Sequence, residues 1–333
     1  MGCLVYGANG YSGALLARLA VTRGERPILA GRSEAPVRAL AEELGLPYRV
    51  GAPSPALLEG VGAVVNCAGP FAATARPMVA ACLAAGVHYL DITGELDVFA
   101  WMFAQDGAAR SAGVTMITGA GFDVVPTDCL AALLAAELPG AVALEIAFSA
   151  PGGLSRGTAR TALAEMGSGA LRRVGGELVA TRFGAPSRSV PFPSGVQRVG
   201  ATRWGDLATA YRSTSIPDIT VYMPLPRGTA LAPLFRFAPL RRTVQALVRP
   251  GGPSSSVRAA AGCEAWAEVR DAAGATRSAT LTGPNAYALT ADASLRAAQR
   301  VLAGEVAPGV HTPSSALGAG FVRTLDGVTV SLL

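Results

Sequence analysis

The chain has 333 residues, half of them hydrophobic and 15% charged, which bounds it to one large domain or two ordinary ones with ample core and excludes disorder. Its formal charge is +5, and every basic residue is arginine because the sequence holds no lysine. That excludes lysine Schiff-base chemistry, a P-loop lysine and a Tyr-x-x-x-Lys catalytic pair, while the scattered arginines leave no basic footprint for nucleic acid.

The first predicted strand is the apolar run Cys3–Tyr6, which enters the turn Gly7-Ala8-Asn9-Gly10-Tyr11-Ser12-Gly13 and then a helical pattern from Ala14. The spacing G-x-x-G-x-x-G is a relative of the dinucleotide fingerprint G-x-G-x-x-G. Gly7 allows the sharp turn off the strand, Gly10 a close backbone approach to a pyrophosphate, and Gly13 tight packing of helix on sheet. The helix amides then favour an anion. Asn9, Tyr11 and Ser12 join the three glycines as candidate cofactor-binding residues; the plain alternative is a structural turn. A second strand, Pro27–Ala30, ends in Gly31-Arg32-Ser33. A carboxylate there would hold the ribose 2′-hydroxyl of NAD. Arg32 and Ser33 instead suit a 2′-phosphate, so the expected cofactor is NADP(H). Glu34, one residue on, would blunt this preference, and a solvated surface arginine is the bland reading.

A helix is expected over Ala35–Leu44 and a short strand over Tyr48–Val50. The continuous apolar run Ala63–Val65 suits a strand buried on both faces of a parallel sheet. Its tip, Asn66 to Pro70, falls where such strands meet a cofactor, which adds Ala68, Gly69, Pro70 and Phe71, the last lining a nicotinamide pocket. Arg76-Pro77 is expected to open a helix that Gly86 ends, with Pro77 in the first turn. His88–Asp91 begins a fifth strand with the polar tip Ile92-Thr93-Gly94-Glu95, and Thr93 and Gly94 are further cofactor candidates. A helix over Val98–Ser111 and a sixth strand, Val114–Ile117, lead into Gly119–Asp128. The alternation predicts right-handed βαβ units and a doubly wound parallel Rossmann sheet over residues 1–130. Asp91, Glu95, Asp123 and Asp128 are the candidate catalytic carboxylates at strand ends; Asp91 or Asp128 can equally cap a helix. His88 reads as structural.

From about residue 140 the pattern changes. Strand-like pieces at 142–150, 177–183, 189–192, 197–202 and 219–223, with a hairpin at 264–281, predict an α+β domain with a mostly antiparallel sheet over residues 131–310. A helix is expected over Ala159–Leu171 and another from Ala286 to Arg300. The last segment, 311–333, with a helix over Ser315–Leu325 and a strand over Val328–Leu332, is expected to return to the first domain. Ser155-Arg156-Gly157-Thr158 opens a helix, so Arg156 and Thr158 are candidates to grip a carboxylate or thioester oxygen, or they form a capped solvent loop. Phe122 and Tyr211 are further substrate candidates, although Tyr211 and Trp204 also read as core. The apolar stretch Leu231–Val248, interleaved with arginines, reads as a packed arm, a lid or a lipid-touching surface. The five cysteines form no Cys-x-x-Cys and read as small buried hydrophobes of a reducing cytoplasm; two histidines are too few for a His-based metal site. No run reaches a membrane span and no signal peptide precedes the first strand, so a cytoplasmic protein is expected.

The motifs Gly-Ala-Asn-Gly-Tyr-Ser-Gly, Ala-Gly-Arg-Ser, Val-Val-Asn-Cys-Ala-Gly-Pro-Phe, His-Tyr-Leu-Asp-Ile-Thr-Gly-Glu and Gly-Phe-Asp-Val-Val-Pro-Thr-Asp occur in that order. With Ser155–Ala159, Trp204-Gly205-Asp206 and His311–Ser314, the chain resembles the saccharopine dehydrogenase-like reductases, and most the branch of trans-acting enoyl reductases. The resemblance implies a Rossmann domain, NADP(H), and a substrate domain inserted before a C-terminal return. It implies reduction of an activated C=C bond in an apolar or polyketide-like metabolite, free or as a carrier-bound thioester. An imine or ketone acceptor, or a catalytically silent NADP sensor, are the alternatives. A homodimer built on the second domain is expected with it.

Overall fold

The computed structural model describes residues 2–159, 169–225, 237, 243–244 and 251–333. The chain divides into two compact units, Met1–Val125 with Tyr287–Gly318, and Pro126–Ala286 with Ala319–Leu333. Elements are numbered in chain order.

The first unit alternates strand and helix: β1 (Gly2–Tyr6), α1 (Tyr11–Thr22), β2 (Ile28–Gly31), α2 (Glu34–Leu44), β3 (Tyr48–Val50), β4 (Val61–Asn66), α3 (Phe71–Ala85), β5 (His88–Asp91), α4 (Leu96–Phe103), α5 (Asp106–Ser111) and β6 (Thr115–Ile117). Helix α9 (Ala286–Leu302), strand β15 (Gly309–His311) and the short α10 (Pro313–Leu317) come from the far end of the chain. All seven strands pair in parallel, in the order β15-β6-β5-β4-β1-β2-β3. The six N-terminal strands have the doubly wound order 3-2-1-4-5-6, which sets a crevice at the carboxyl ends of β1 and β4. Leu4, Tyr6, Val64, Met78, Tyr89 and Met116 share one core cluster, with Val5 and Val65 also buried, so the central strands are covered on both faces. Thr115 donates its amide to His88 Nδ1 at 3.0 Å, adding a side-chain tie between β5 and β6.

Two helices differ from expectation. The run 98–111 breaks in two because Gln105 leaves the helical path (φ −86°, ψ 0°) and Asp106 starts a new turn. Asp106 then accepts from the Val310 amide at 2.8 Å and Arg110 Nε at 2.9 Å, which ties α5 to β15. Helix α3 begins at Phe71, not at Arg76-Pro77, so Pro77 lies inside it. The helix starts early because Glu95 takes its first amides, as described below.

The second unit contains α6 (Val125–Glu137), β7 (Ala141–Ser149), β8 (Ala170–Val174), β9 (Glu177–Thr181), β10 (Ser187–Phe192), β11 (Gly195–Ala201), α7 (Asp206–Thr214), β12 (Asp218–Pro224), α8 (Ser255–Ala260), β13 (Cys263–Asp271), β14 (Thr276–Gly283) and β16 (Thr329–Leu332). The sheet runs β10-β11-β12-β7-β13-β14-β16, with the β8–β9 hairpin attached to β12. Among the described residues only β7 and β12 pair in parallel, so the sheet is mixed and mostly antiparallel. Ala170–Val174 is strand where a helix to Leu171 was expected; residues 160–168 lie outside the described residues, as does the 231–248 stretch apart from 237 and 243–244. The last strand does not return to the first unit. It pairs with β14 from Ala279↔Leu332 to Thr282↔Thr329, satisfying an otherwise open edge. Gly318, at φ 82°, stops the helix expected over 315–325, leaving α10 and a 3₁₀ turn at Ala319–Thr324. All five cysteines are free, and burial pushes the Cys3, Cys82 and Cys263 thiols up to about 12. Among the described residues no helix is long and apolar enough to cross a membrane.

Candidate functional site

The turn between β1 and α1 needs its glycines for separate reasons. Gly7 sits at φ 78°, and a Cβ there would lie 2.8 Å from Ala68 N and Cβ. A Cβ on Gly13 would come within 2.4 Å of the Gly7 carbonyl oxygen, closing the gap between helix and strand. On Gly10 it would meet only that same oxygen, at 3.0 Å. Gly7 and Ala8 donate their amides to the Ala30 carbonyl at 2.8 and 3.1 Å, which fixes the turn against β2. Gly10 caps α1 without any side-chain acceptor, and a glycine-opened helix start of this kind favours an anion. The Tyr11 ring meets Tyr287 edge-on, with centroids 4.8 Å apart.

At the tip of β2, Arg32 is exposed and makes no hydrogen bond or ion pair among the described residues. Ser33 caps α2 without using its hydroxyl. Glu34, which would oppose a phosphate, pairs with Arg38 on its own helix at 3.9 Å. The Asn9 carboxamide lies across the end of β2, where a Cβ on Gly31 would stand 3.0 Å from Asn9 Oδ1. Glycine turn, helix start and Arg32 together fit an adenosine dinucleotide with a 2′-phosphate: a Cβ at Gly7 or Gly13 would strike the turn's own backbone and Ala68, so only glycine lets the turn close this tightly, and Arg32 beside it has no hydrogen-bond or ion-pair partner among the described residues.

The strand-end loops are held by a buried hydrogen-bond network. Asp91 is fully buried; its Oδ1 accepts from the Gly119 amide at 2.8 Å and the Thr93 amide at 3.1 Å, and its Oδ2 from the Tyr89 hydroxyl at 2.9 Å. The Thr118 hydroxyl lies 3.2 Å from both oxygens. Burial outweighs these donors, and the carboxyl is pushed up to about 6. Asn66 donates to the Tyr89 hydroxyl at 3.3 Å and accepts from the Ala68 amide at 3.1 Å, while Thr74 donates to the Ala68 carbonyl at 2.5 Å. The Gly69–Pro70 peptide is cis. Glu95 accepts the amides of Phe71 and Ala72 at 2.8 and 2.9 Å, which places its carboxylate at the positive end of α3. Asp123 is half-buried with its Oδ2 against Gly94, at 3.0 Å from a Cβ built there, and burial pushes its carboxyl up to about 6.

The structure therefore gathers Asp91, Glu95 and Asp123 with Ala68–Phe71, Thr93 and Gly94 on the loops of the first unit. Asp128 belongs to α6 of the second unit, where it accepts from the Ser213 hydroxyl at 2.5 Å. Phe122 is buried and donates its amide to Thr290 Oγ1 at 3.0 Å. In the second unit Ser155 accepts the Thr158 amide at 3.2 Å, in the manner of a helix cap, and the buried Arg156 Nε has no hydrogen-bond partner among the described residues. Tyr211 is partly exposed beneath the Arg173 guanidinium, 4.0 Å from the ring centre, and Trp204 packs on Phe148 at 4.7 Å. Asn66, Thr118, Tyr287, Thr290 and Ser294 also build these loops, Ser294 donating to the Ala120 carbonyl at 2.8 Å. Thr290 and Ser294 stand four apart on α9; that helical spacing of hydroxyls was the signal available for them.

Fold and crevice together define a Rossmann-type NADP(H)-binding unit of the kind that dehydrogenases and reductases use. Residues 3–117 match the family model of the saccharopine dehydrogenase NADP binding domain. Over 143 residues the chain is 34% identical to the trans-acting enoyl reductase of Mycobacterium ulcerans, an alignment taking in 38% of this chain and 33% of that protein. The match thus spans about a third of the length of the curated relatives. In fold, the chain is similar to saccharopine dehydrogenase (L-Glu forming) from Saccharomyces cerevisiae (TM-score 0.67, 12% identity, 100% of this chain and 99% of that one). It is equally similar to a homospermidine synthase from Legionella pneumophila solved with NAD (TM-score 0.68, 11% identity, 100% and 91%).

Proposed function

We propose that the protein is an NADPH-dependent reductase acting on an activated C=C bond of an apolar acyl compound. The observation that carries this reading is Arg32, a guanidinium with no hydrogen-bond or ion-pair partner among the described residues, at the rim of a glycine-built dinucleotide crevice. The enoyl substrate rests on the trans-acting enoyl reductases that share a third of their length with this chain. NADPH, when bound, supplies the hydride. Gly7, Gly10 and Gly13 with Asn9, Tyr11 and Ser12 hold the pyrophosphate, and Arg32 and Ser33 hold the 2′-phosphate. Ala68–Phe71, Thr93 and Gly94 form the wall at the reacting end. Asp91 and Glu95 act as positioning residues for that wall, since their carboxylates are committed to loop and helix amides. Asp123 is the proton donor, because a carboxyl pushed up to about 6 keeps a proton available near neutrality. It gives that proton to the carbon left carbanionic by hydride addition.

The test is loss of NADPH absorbance when the pure protein is mixed with enoyl thioesters, imines or ketones. Turnover of enoyl thioesters supports the reading; turnover confined to imines or ketones replaces the substrate class, and none with any acceptor overturns the enzyme. Arg32→Ala is expected to weaken NADPH binding about 10- to 100-fold, the loss of a charge-assisted bond of about 1.5–3 kcal/mol, and to leave NADH binding unchanged.

A further inference from the structure

Helices α1 and α9 lie over the same face of the first unit's sheet and are tied to each other at three places. Tyr11 and Tyr287, at the starts of the two helices, meet edge-on with ring centres 4.8 Å apart. Arg23, which caps the end of α1, pairs with Asp292 of α9 at 2.6 Å. Gln299 Nε2 donates to Glu25 Oε1 at 2.9 Å. Between these ties the helices do not close on each other. A cavity of about 110 Å³ lies there, walled by Leu16 and Ala20 of α1, Leu295 and Ala298 of α9, and Val5 and Val65 of the sheet. All six are buried. Ala20 and Ala298 each offer a single methyl group to it, so the volume that two longer side chains would take is left over.

The cavity is separate from the dinucleotide crevice. It opens at the amino end of the sheet, beside the exposed Gly2, Glu25 and Arg26. The crevice lies at the carboxyl ends of β1 and β4, past Tyr6 and Asn66.

Its chemistry is apolar throughout. At the rim, Glu25 is bonded to Gln299, and Arg26 donates to the Gly45 carbonyl. The Cys3 sulfur joins the hydrocarbon walls, and burial keeps that thiol neutral. A charged ligand would give up its water here and gain no partner. An apolar cavity of this order stays dry and accepts hydrocarbon instead; an engineered one of about 150 Å³ lined by Leu, Ile and Phe binds benzene. Sulfur in the wall favours an aromatic ring, since the polarizable atom makes good contact with a ring edge.

We propose that the cavity between α1 and α9 is a binding site for a small neutral aromatic molecule of about benzene size. Titration of the full chain with benzene, followed by calorimetry and by thermal melting, tests this. One saturable site is expected. Benzene at about ten times its dissociation constant is expected to raise the melting temperature by about 3–6 °C, and benzoate is expected to leave it unchanged. The affinity for benzene is expected to be the same with and without NADPH, because the two sites lie at opposite ends of the sheet; a chain that failed to bind NADPH would still show it. Ala20→Leu and Ala298→Leu fill the cavity from opposite helices, and each is expected to abolish benzene binding. The wild-type chain carries its own reporter should either variant crowd the core. Alkylation of Cys3 by iodoacetamide at about pH 9, located by peptide mass, is expected to slow about tenfold at that benzene concentration, and alkylation of Cys67 is not. Absence of saturable benzene binding overturns the proposal. So does binding that NADPH displaces, that survives both leucine variants, or that leaves the alkylation of Cys3 unchanged.

Discussion

Asp91 and Asp123 are the residues whose ionisation the fold disturbs most usefully. Both carboxyls are pushed up to about 6 by burial, from 3.8. Between about pH 4 and 6 the folded chain then holds protons that the unfolded chain has released, so each group's contribution is complete below 3.8 and is lost as the pH rises through 6. Each accounts for at most about 3 kcal/mol. His88 acts in the opposite sense: burial lowers its pKa, its Nδ1 accepts an amide, and it loses stability as the pH falls below 6.5. Variants separate the two. Asp123→Asn is expected to be more stable than wild type at pH 7.5 and to lose that advantage at pH 4.5, read as the difference in urea midpoints. The same variant is expected to abolish the fall in turnover above about pH 6 that the proposed proton donor imposes. The position of Arg32 just past β2 was legible in the sequence because it depends on chain neighbours, the end of a strand about 20 residues past a glycine turn. The part played by Asp91 was not, because its partners Thr118 and Gly119 stand 27 and 28 residues downstream and reach it only across the sheet.

Helix α3 shows how one element is set by another. Its first turn has no capping side chain of its own; Pro70 precedes it, and the Phe71 and Ala72 amides are taken by Glu95, more than 20 residues later. Glu95 therefore offsets the two orphan donors and the dipole end of α3, and in the same contact it fixes the loop that carries Gly69 and Pro70. Glu95→Ala is expected to cost about 1–2 kcal/mol in urea unfolding, with Glu95→Gln losing less, since an amide oxygen still accepts one of the two bonds. NADPH affinity is expected to fall with the alanine variant more than stability alone explains, because the loop beside the crevice loses its anchor. A sequence pattern sees Arg76-Pro77 as a helix start because proline favours a first turn. It cannot see a cap delivered from the next βα loop. Helix α6 went unread for a different reason: Val125–Glu137 is apolar on nearly every side, so it carries no amphipathic period to detect. The six N-terminal strands of the first sheet were readable in the sequence, and their bounds moved by only a residue or two.

At the scale of the molecule, each unit is assembled from distant parts of the chain. The first takes its edge strand β15 and helix α9 from Tyr287–Gly318. The doubly wound order was legible from the strand–helix alternation over the first 130 residues. The place where the chain comes back was not, because β15 is three residues long and α9 reads as one more helix of the second unit. Yet the returning segment makes much of the loop structure. Thr290 accepts the Phe122 amide, Ser294 donates to the Ala120 carbonyl, Thr115 donates to the Val306 carbonyl at 3.0 Å, and Asp292 binds Arg23 and Arg296 at 2.6 Å. A fragment 1–125 would expose the apolar face of β1 and β4 that Leu295 and Ala298 line, and it would leave buried polar groups of the 115–122 segment unpaired. Such a fragment is expected to keep helical circular dichroism while losing cooperative thermal unfolding and NADPH binding. Joining residues 1–125 to 287–318 through a flexible Gly/Ser linker is expected to restore both, because the segment need only reach its own sheet. A 1–125 fragment that melts sharply and binds NADPH as tightly as the full chain would show that the return merely decorates the nucleotide unit.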